Sequence, residues 1–239
     1  MASEFYENLG RESWGSLAQP RTRVALDLAG RVGKGRILDV GCADGEVSLE
    51  LARLGGSVVV GVDISEAAVA TCRSRGLEAY RSNLDQEALP LADDSFDLVY
   101  MAEVIEHLAR PDQAIVELRR VLVPGGHLLI TTPNLACLPN RLLLLAGLQP
   151  LYTEVSEELV LGRGFRILGQ RGRPVGHLRL FTRRALVEFL DLHGFDVVAA
   201  RGAAFHSGGV LGGLEGLLGR LPGLAMQMVV LARRRGSAE

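Results

Sequence analysis

Short apolar runs alternate with helix-period segments along most of this chain, and that alternation restricts the fold more than any single residue does. "RILDV" (36–40), "SVVVGVD" (57–63), "LEAYRS" (77–82), "FDLVYMAE" (96–103) and "HLLITT" (127–132) are apolar runs of strand length. Between them, 46–54 places Val47, Leu51 and Leu54 on one helical face. "SEAAVATCRSR" reads as a second helix with Ser65 as its N-cap. A third, from about Asp112, carries Ile115, Leu118, Val121 and Leu122 on one face and is ended by the turn "VPGG". Strands and helices in this order build a Rossmann-like, doubly wound α/β fold, with a mostly parallel sheet covered by helices on both faces.

The flanks complete the organisation. Residues 1–35 read as an N-terminal helical segment, with a helix opening at Pro20, running through Val24, Ala25, Leu28 and Ala29, and stopped by the glycines at 30, 33 and 35. Residues 36–133 form the first half of the main domain, where a ligand is expected. After Pro133-Asn134 the rhythm breaks. Residues 134–180 are too long for a plain connection and read as an insertion or lid. Residues 181–239 return to regular structure with "TRRALVEFLDLHGF", "DVVAARG" and a last strand "AMQMVVLARR", a helix and two strands that complete the same domain. The Gly/Leu-rich link 207–224 reads as a flap or cover.

Composition excludes several classes. A net charge of −2 and a pI near 6.2 give no general attraction for nucleic acid. "MASEFYENLGRESWG" lacks the apolar core of a secretory leader, and "RLLLLAGL" is too short to span a bilayer. Cys42, Cys72 and Cys137 form no CxxC pair and cannot all pair with one another, so a reduced, cytoplasmic setting is expected.

The first strand ends in "ILDVGCADGE". In open α/β sheets, ligands bind beyond the carboxyl ends of the strands. Gly41 lets backbone pass close to a ligand, and Gly45 allows a tight entry into the following helix. Asp63 ends the second strand about twenty residues on, where a carboxylate can accept both hydroxyls of a ribose. A dinucleotide site needs G-x-G-x-x-G, but Ala43 and Asp44 occupy the places after Cys42. A carboxylate at Asp44 facing the turn would repel a pyrophosphate, and no Gly-Lys-Ser/Thr follows to make a P-loop. A phosphate-free adenosine bearing a positive group fits better, because Asp39 also points at the turn.

Taken together, "ILDVGCADGEVSLELA", "VVVGVDIS", "LPLADDSFDLVYMAEVIEHL", "RRVLVPGGHLLITTPN" and "GHLRLFTRRALVEFLDLHGF" resemble class I S-adenosylmethionine-dependent methyltransferases, in particular the ubiquinone-biosynthesis-like and natural-product small-molecule group. The likeness runs through about 36–135 and again through 176–201. It implies a seven-stranded sheet whose last strand inserts antiparallel between the fifth and sixth. It also implies S-adenosylmethionine as cofactor and S-adenosylhomocysteine as product. Asp39 and the turn Gly41, Cys42, Ala43 and Gly45 would hold the methionine end, with Cys42 also readable as a small buried packing residue. Asp63 would hold the ribose and Ile64 would pack on adenine. Two registers fit the adenine contact: Leu84 with Asp85, preferred by the spacing to Leu89-Pro90, or Asn83 with Leu84. Backbone around Ala102 and Glu103 would line the methionine part.

His107 and His177 are the candidate catalytic bases, while Glu106 reads as a surface acid. No metal ligand set is expected. Leu138, Leu142 to Leu145, Leu148, Leu151 and Tyr152 suggest an apolar wall, an extra core layer or a homodimer contact. The reading is thus a methyltransferase acting on a small-molecule acceptor, with O- or C-methylation by direct displacement. A non-catalytic cofactor-binding or partner-binding domain is the alternative. The missing third glycine disfavours an NAD-dependent oxidoreductase.

Overall fold

The computed structural model describes residues 17–32, 35–54, 57–204, 219 and 221–236. The opening "MASEFYENLGRESWG", the Gly33 and Gly55-Gly56 stops and most of the 207–224 link lie outside the described residues. In chain order the elements are α1 (Pro20–Val32), β1 (Arg36–Val40), α2 (Glu46–Arg53), β2 (Val58–Asp63), α3 (Glu66–Ser74) and β3 (Glu78–Arg81). Then come β4 (Phe96–Ala102), a 3-10 turn (Ile105–His107), α4 (Pro111–Val121), β5 (Leu122–Pro133) and α5 (Leu138–Leu145). A second 3-10 turn (Arg166–Leu168), α6 (Arg183–Leu192), β6 (Phe195–Ala203) and β7 (Gln227–Arg234) close the chain.

The strands make one seven-stranded sheet in the order β3-β2-β1-β4-β5-β7-β6. Pairings from β3 through β5 are parallel, and β7 runs antiparallel to both β5 and β6. The last strand therefore inserts where the family resemblance implies. The order of strand addition reverses between β1 and β4, which pair in parallel from Ile37 with Leu98 to Val40 with Met101. That neighbourhood is the switch point where open sheets place ligands.

Period-two burial sorts the core into two layers. Leu38, Val40, Val99, Met101, Leu128 and Ile130 face one side, against Ile115 and Leu118 of α4 and Leu186 and Leu190 of α6. Ile37, Val59, Leu98, Tyr100, Leu129 and Val229 face the other, against Ala25, Leu28 and Ala29 of α1 and Val47 and Leu51 of α2. Asp39 falls on this second side by alternation, which aims a carboxylate into a packed layer beneath α2.

Helix ends follow local chemistry. Ser65 accepts the Ala68 N–H as the N-cap of α3, as expected, and Thr182 does the same for Ala185 in α6. Pro111 opens α4, where a missing N–H costs nothing. Two details differ from expectation. Gly30 does not stop α1, which continues to Val32 because tertiary packing outweighs the glycine. "VPGG" does not separate α4 from β5; it is a bulge inside the strand, where the register with β4 slips between Phe96 and Leu98. Within 134–180 only α5 and the short 3-10 turn are regular. No helix among the described residues is long and apolar enough to cross a membrane.

Leu28 is 2% exposed in the layer that holds α1 to the sheet. Leu28→Ala is expected to cost about 2–5 kcal/mol in denaturant unfolding, and a loss below about 1 kcal/mol would show that α1 is not part of the cooperative core.

Candidate active site

The β1–α2 turn is built by close approach. Gly41 has φ +76°, and a Cβ there would lie 2.5 Å from Val104 Cγ2, so only glycine lets the turn lie against the β4 turn. Gly45 has φ +79°, and its Cβ would meet Leu77 Cδ1 at 2.7 Å and Cys72 Sγ at 3.1 Å. The N–H groups of Gly41 and Cys42 both donate to Val62 O, which fixes the turn on β2. Gly41 is exposed while Cys42 and Gly45 are buried, so the crest of the turn is open from above. Gly45 N-caps α2 without a side-chain bond.

Two acids frame this turn. Asp39 is 2% exposed and accepts the Ser48 hydroxyl at 2.5 Å. Burial pushes its carboxyl up to about 7, the Ser48 bond opposes that, and the Asp63 charge adds to it. Asp63 takes the Ala43 N–H at 3.0 Å on Oδ2 and the Ser65 N–H at 2.9 Å on Oδ1. Each oxygen keeps a second lone pair for a ligand hydroxyl. Burial raises the Asp63 carboxyl, and backbone N–H bonds hold it down in part. Asp44 differs from expectation. Its Oδ2 pairs with Arg75 at 3.1 Å and its Oδ1 accepts the Glu46 N–H, so it lies on the surface, neutralised, and does not guard the turn. The acid bonded to the turn itself is Asp63, through the Ala43 N–H. Cys42 and Cys72 lie beneath, with sulfurs 3.5 Å apart, and that contact and burial push the Cys42 thiol up, so Cys42 packs and does not react.

Beyond β4, Glu103 has φ +54° and its Oε1 accepts the Thr131 hydroxyl at 2.9 Å. Arg21 of α1 lies 3.6 Å from the same oxygen, both side chains being at most 10% exposed. The carboxylate of Glu103 is thus turned toward α1, while its backbone follows Ala102 beside Gly41. Glu106 corrects the expectation of a surface acid. It is fully buried, accepts the Thr132 hydroxyl at 3.0 Å on Oε2, and leaves Oε1 without a partner among the described residues. Burial, then the nearby Glu103 charge, raise its carboxyl well above the usual range.

His107, in the turn after β4, and His177, near the end of the insertion, come together with ring centroids 4.9 Å apart. His107 Nδ1 lies 3.0 Å from Gly176 O, and His177 Nδ1 lies 3.0 Å from Tyr152 O. A carbonyl only accepts, so Nδ1 of each ring carries a proton, and in a neutral ring Nε2 is then the acceptor. Burial, then the His177 ring, press His107 down to about 4, so it is neutral at pH 7. Glu106, His107 and His177 each bring one donor-type atom within 4.8 Å of the others, a set that could share a proton or hold a divalent ion.

Sequence reasoning missed Arg21, Ser48, Glu106 and Glu154. Ser48 had a signal, a polar residue beside Val47 on a buried helix face; the others depend on tertiary contacts. Of the adenine candidates, Leu84 is buried in the core, and Asp85 uses both oxygens on the Ala109 and Arg110 N–H groups at the start of α4. Asn83 Oδ1 accepts the Asp85 N–H. Ile64 is half-buried directly after Asp63.

A family model described as a methyltransferase domain matches residues 38–130. Over those residues the chain is similar to methyltransferase domains. The matched span holds the glycine turn, Asp63 and the His107 turn, but not the insertion with His177. Among curated proteins, a ubiquinone biosynthesis O-methyltransferase of Alkalilimnicola ehrlichii is 38% identical over 116 residues, 46% of this chain and 46% of the relative. A 27-O-demethylrifamycin SV methyltransferase of Amycolatopsis mediterranei is 34% identical over 139 residues, 51% of this chain and 50% of the relative. The chain thus spans about half the length of the curated relatives it matches. A SAM-dependent methyltransferase structure from Thermotoga maritima superposes with a TM-score of 0.63 at 18% identity, covering 98% of this chain and 100% of that one. At that identity the likeness is one of fold.

Asp39 gives the folded chain a pH signature. Its folded-state value of about 7 lies above the unfolded 3.8, so the folded protein holds this proton more tightly. Stability carries no penalty below about pH 4, falls as pH rises toward 7, and then levels off. Asp39→Asn is expected to flatten this slope and to be more stable than wild type at pH 7.5 by a few kcal/mol, at about 1.4 kcal/mol per pH unit. Urea unfolding from pH 4 to 8 reads it, and an unchanged slope would refute the buried-acid assignment.

Proposed function

We propose that this chain is an S-adenosylmethionine-dependent methyltransferase that acts on a small-molecule acceptor, with S-adenosylhomocysteine as the second product. One observation carries the reading: Val104 packs against Gly41, and His107 lies three residues further on. The turn that suits a cationic adenosine therefore touches the segment that leads into His107, at the switch point.

The residues fit the cofactor. Gly41 leaves its crest open, Asp63 offers two lone pairs to ribose, and Asp39 can ionise beside a positive amino group. Ala43 and Ile64 would flank the adenosine, and backbone at Ala102 and Glu103 would line the methionine end. The adenine contact is assigned to Leu84 and Asp85, whose carboxylate is held in place by the Ala109 and Arg110 N–H groups. The cofactor supplies a methyl group on a sulfonium, so the chain needs no nucleophile of its own. Its work is to align acceptor and methyl and to keep water out. With a hydroxyl acceptor, His107 Nε2 takes the proton as the methyl arrives. The cationic charge leaves the sulfur and appears on the imidazole, so the site gains no net charge and the buried ring can hold the proton through the step. His177 lies in position to share that charge.

Support for O-methylation comes from the matched relatives whose names specify an oxygen acceptor. The insertion 134–180 serves in this reading as the acceptor's lid. Leu142, Leu144 and Leu145 of α5 point outward, being 57%, 58% and 85% exposed, and we assign them to a homodimer contact instead of the acceptor wall. No metal is required, and the setting is the cytoplasm. A nucleic acid acceptor finds no basic stripe here.

Transfer of labelled methyl from S-adenosylmethionine to a panel of phenols, carboxylates and quinone precursors tests the function. Asp63→Ala, with melting unchanged, should weaken S-adenosylhomocysteine at least about tenfold, consistent with loss of charge-assisted hydrogen bonds of about 1.5–3 kcal/mol. Unchanged affinity would refute the ribose assignment, and loss of transfer on chelation would assign the Glu106, His107 and His177 group to a metal.

A further inference from the structure

Glu154 lies in the insertion, outside the matched domain, and does something unusual for a half-buried carboxylate. Its Oε1 accepts the Val175 N–H at 2.6 Å, and its Oε2 accepts the N–H groups of Gly176 at 2.8 Å and His177 at 3.0 Å. Three consecutive backbone donors converge on one side chain, a nest closed by an internal anion. We infer that Glu154 is the positioning residue for the His107 and His177 pair, fixing the orientation and tautomer of both rings. This rests on the methyltransferase reading only in what the pair is used for.

The geometry follows from the planar trans peptide. The His177 N–H and the Gly176 C=O belong to one peptide unit and point in opposite directions. Holding that N–H on Glu154 therefore aims the Gly176 carbonyl away from it, where it meets His107 Nδ1 at 3.0 Å. The negative charge also polarises the peptide it binds, which makes the carbonyl a better acceptor. The second ring is held by the same segment. Tyr152, two residues before Glu154, accepts from His177 Nδ1 and has φ +69°, a conformation a tyrosine adopts only when its surroundings impose it. Gly176 has φ +83°, so the clamped strand is one that other residues would not hold.

The clamp is joined to the domain on its far side. Leu178 and Arg179 N–H both donate to Glu106 O, so the segment that bears His177 is zipped onto the turn that bears His107. Segment 152–154, segment 175–179 and turn 105–107 thus form one unit with Glu154 at its centre. Without it, the Gly176 peptide is free to rotate, His107 loses its partner carbonyl, and Nε2 is no longer reserved as the acceptor.

The test is Glu154→Gln in the full chain, which keeps shape but sets an amide NH2 against backbone N–H groups. Long-range proton–nitrogen NMR of the histidine rings, with His107 identified by His107→Asn, reads the tautomer without any acceptor. Wild type should carry the proton on Nδ1, and the variant should show a mixture of tautomers. A wild-type His107 with the proton on Nε2 would overturn the inference outright, as would a variant with unchanged tautomer. In turnover, kcat should fall by about 10- to 100-fold, with S-adenosylhomocysteine affinity within about twofold of wild type. A parallel loss of melting temperature, cofactor affinity and rate would mean that Glu154 only holds the fold, and would overturn it too. If wild type binds no S-adenosylhomocysteine, the functional reading fails while the tautomer measurement still decides the role of Glu154.

Discussion

The approach of Val104 to Gly41 is the contact on which the site depends. Two turns leave the sheet at the carboxyl ends of β1 and β4, neighbours by parallel pairing, and they can touch because one carries no Cβ. From that contact the rest follows. The crest at Gly41 stays exposed, Asp63 reaches across to the Ala43 N–H, and the segment after β4 runs on from Val104 to Glu106 and His107. A methyl at Gly41 would push the two turns apart.

Charge in this region is buried to an unusual degree. Asp39, Glu103, Glu106 and Arg21 are all largely removed from water, and Arg21 pairs with Glu103. Desolvation makes the remaining acids responsive to an incoming cation. Asp39 is poised to ionise for a positive ligand, at a cost to stability when nothing is bound. This is the behaviour expected of a binding site that trades stability for function.

The regular frame was legible in the residues because it rests on periodicity. "RILDV", "VVVGVD" and "FDLVYMA" form the strands that their patterns imply, and Ser65 caps the helix it precedes, whereas the antiparallel entry of the last strand beside β5 was implied by the family resemblance alone. Readings that depended on where a charged side chain turns fared differently. Asp44 is adjacent to the turn in sequence but swings out to Arg75, thirty-one residues away. Glu106 looks like a surface acid in "IEHL", yet a single 3-10 turn rotates it inward to Thr132. Insertion 134–180 has almost no regular structure, and single polar side chains hold it: Asn140 on the Leu151 backbone and Glu154 on three N–H groups. No period announces such anchors, so His107 and His177 could be named as candidates but their meeting could not be foreseen.

The central claim is that the Gly41 turn with Asp39 and Asp63 takes a cationic, phosphate-free adenosine. Titration calorimetry of the wild-type protein with S-adenosylmethionine, run beside NADH, tests it most directly. The account predicts saturable binding of S-adenosylmethionine with Kd of about 1–100 μM, or roughly −5 to −8 kcal/mol, stronger at pH 8 than at pH 6 as Asp39 ionises, and no heat from NADH. Binding of NADH, or no binding of S-adenosylmethionine at either pH, would contradict it.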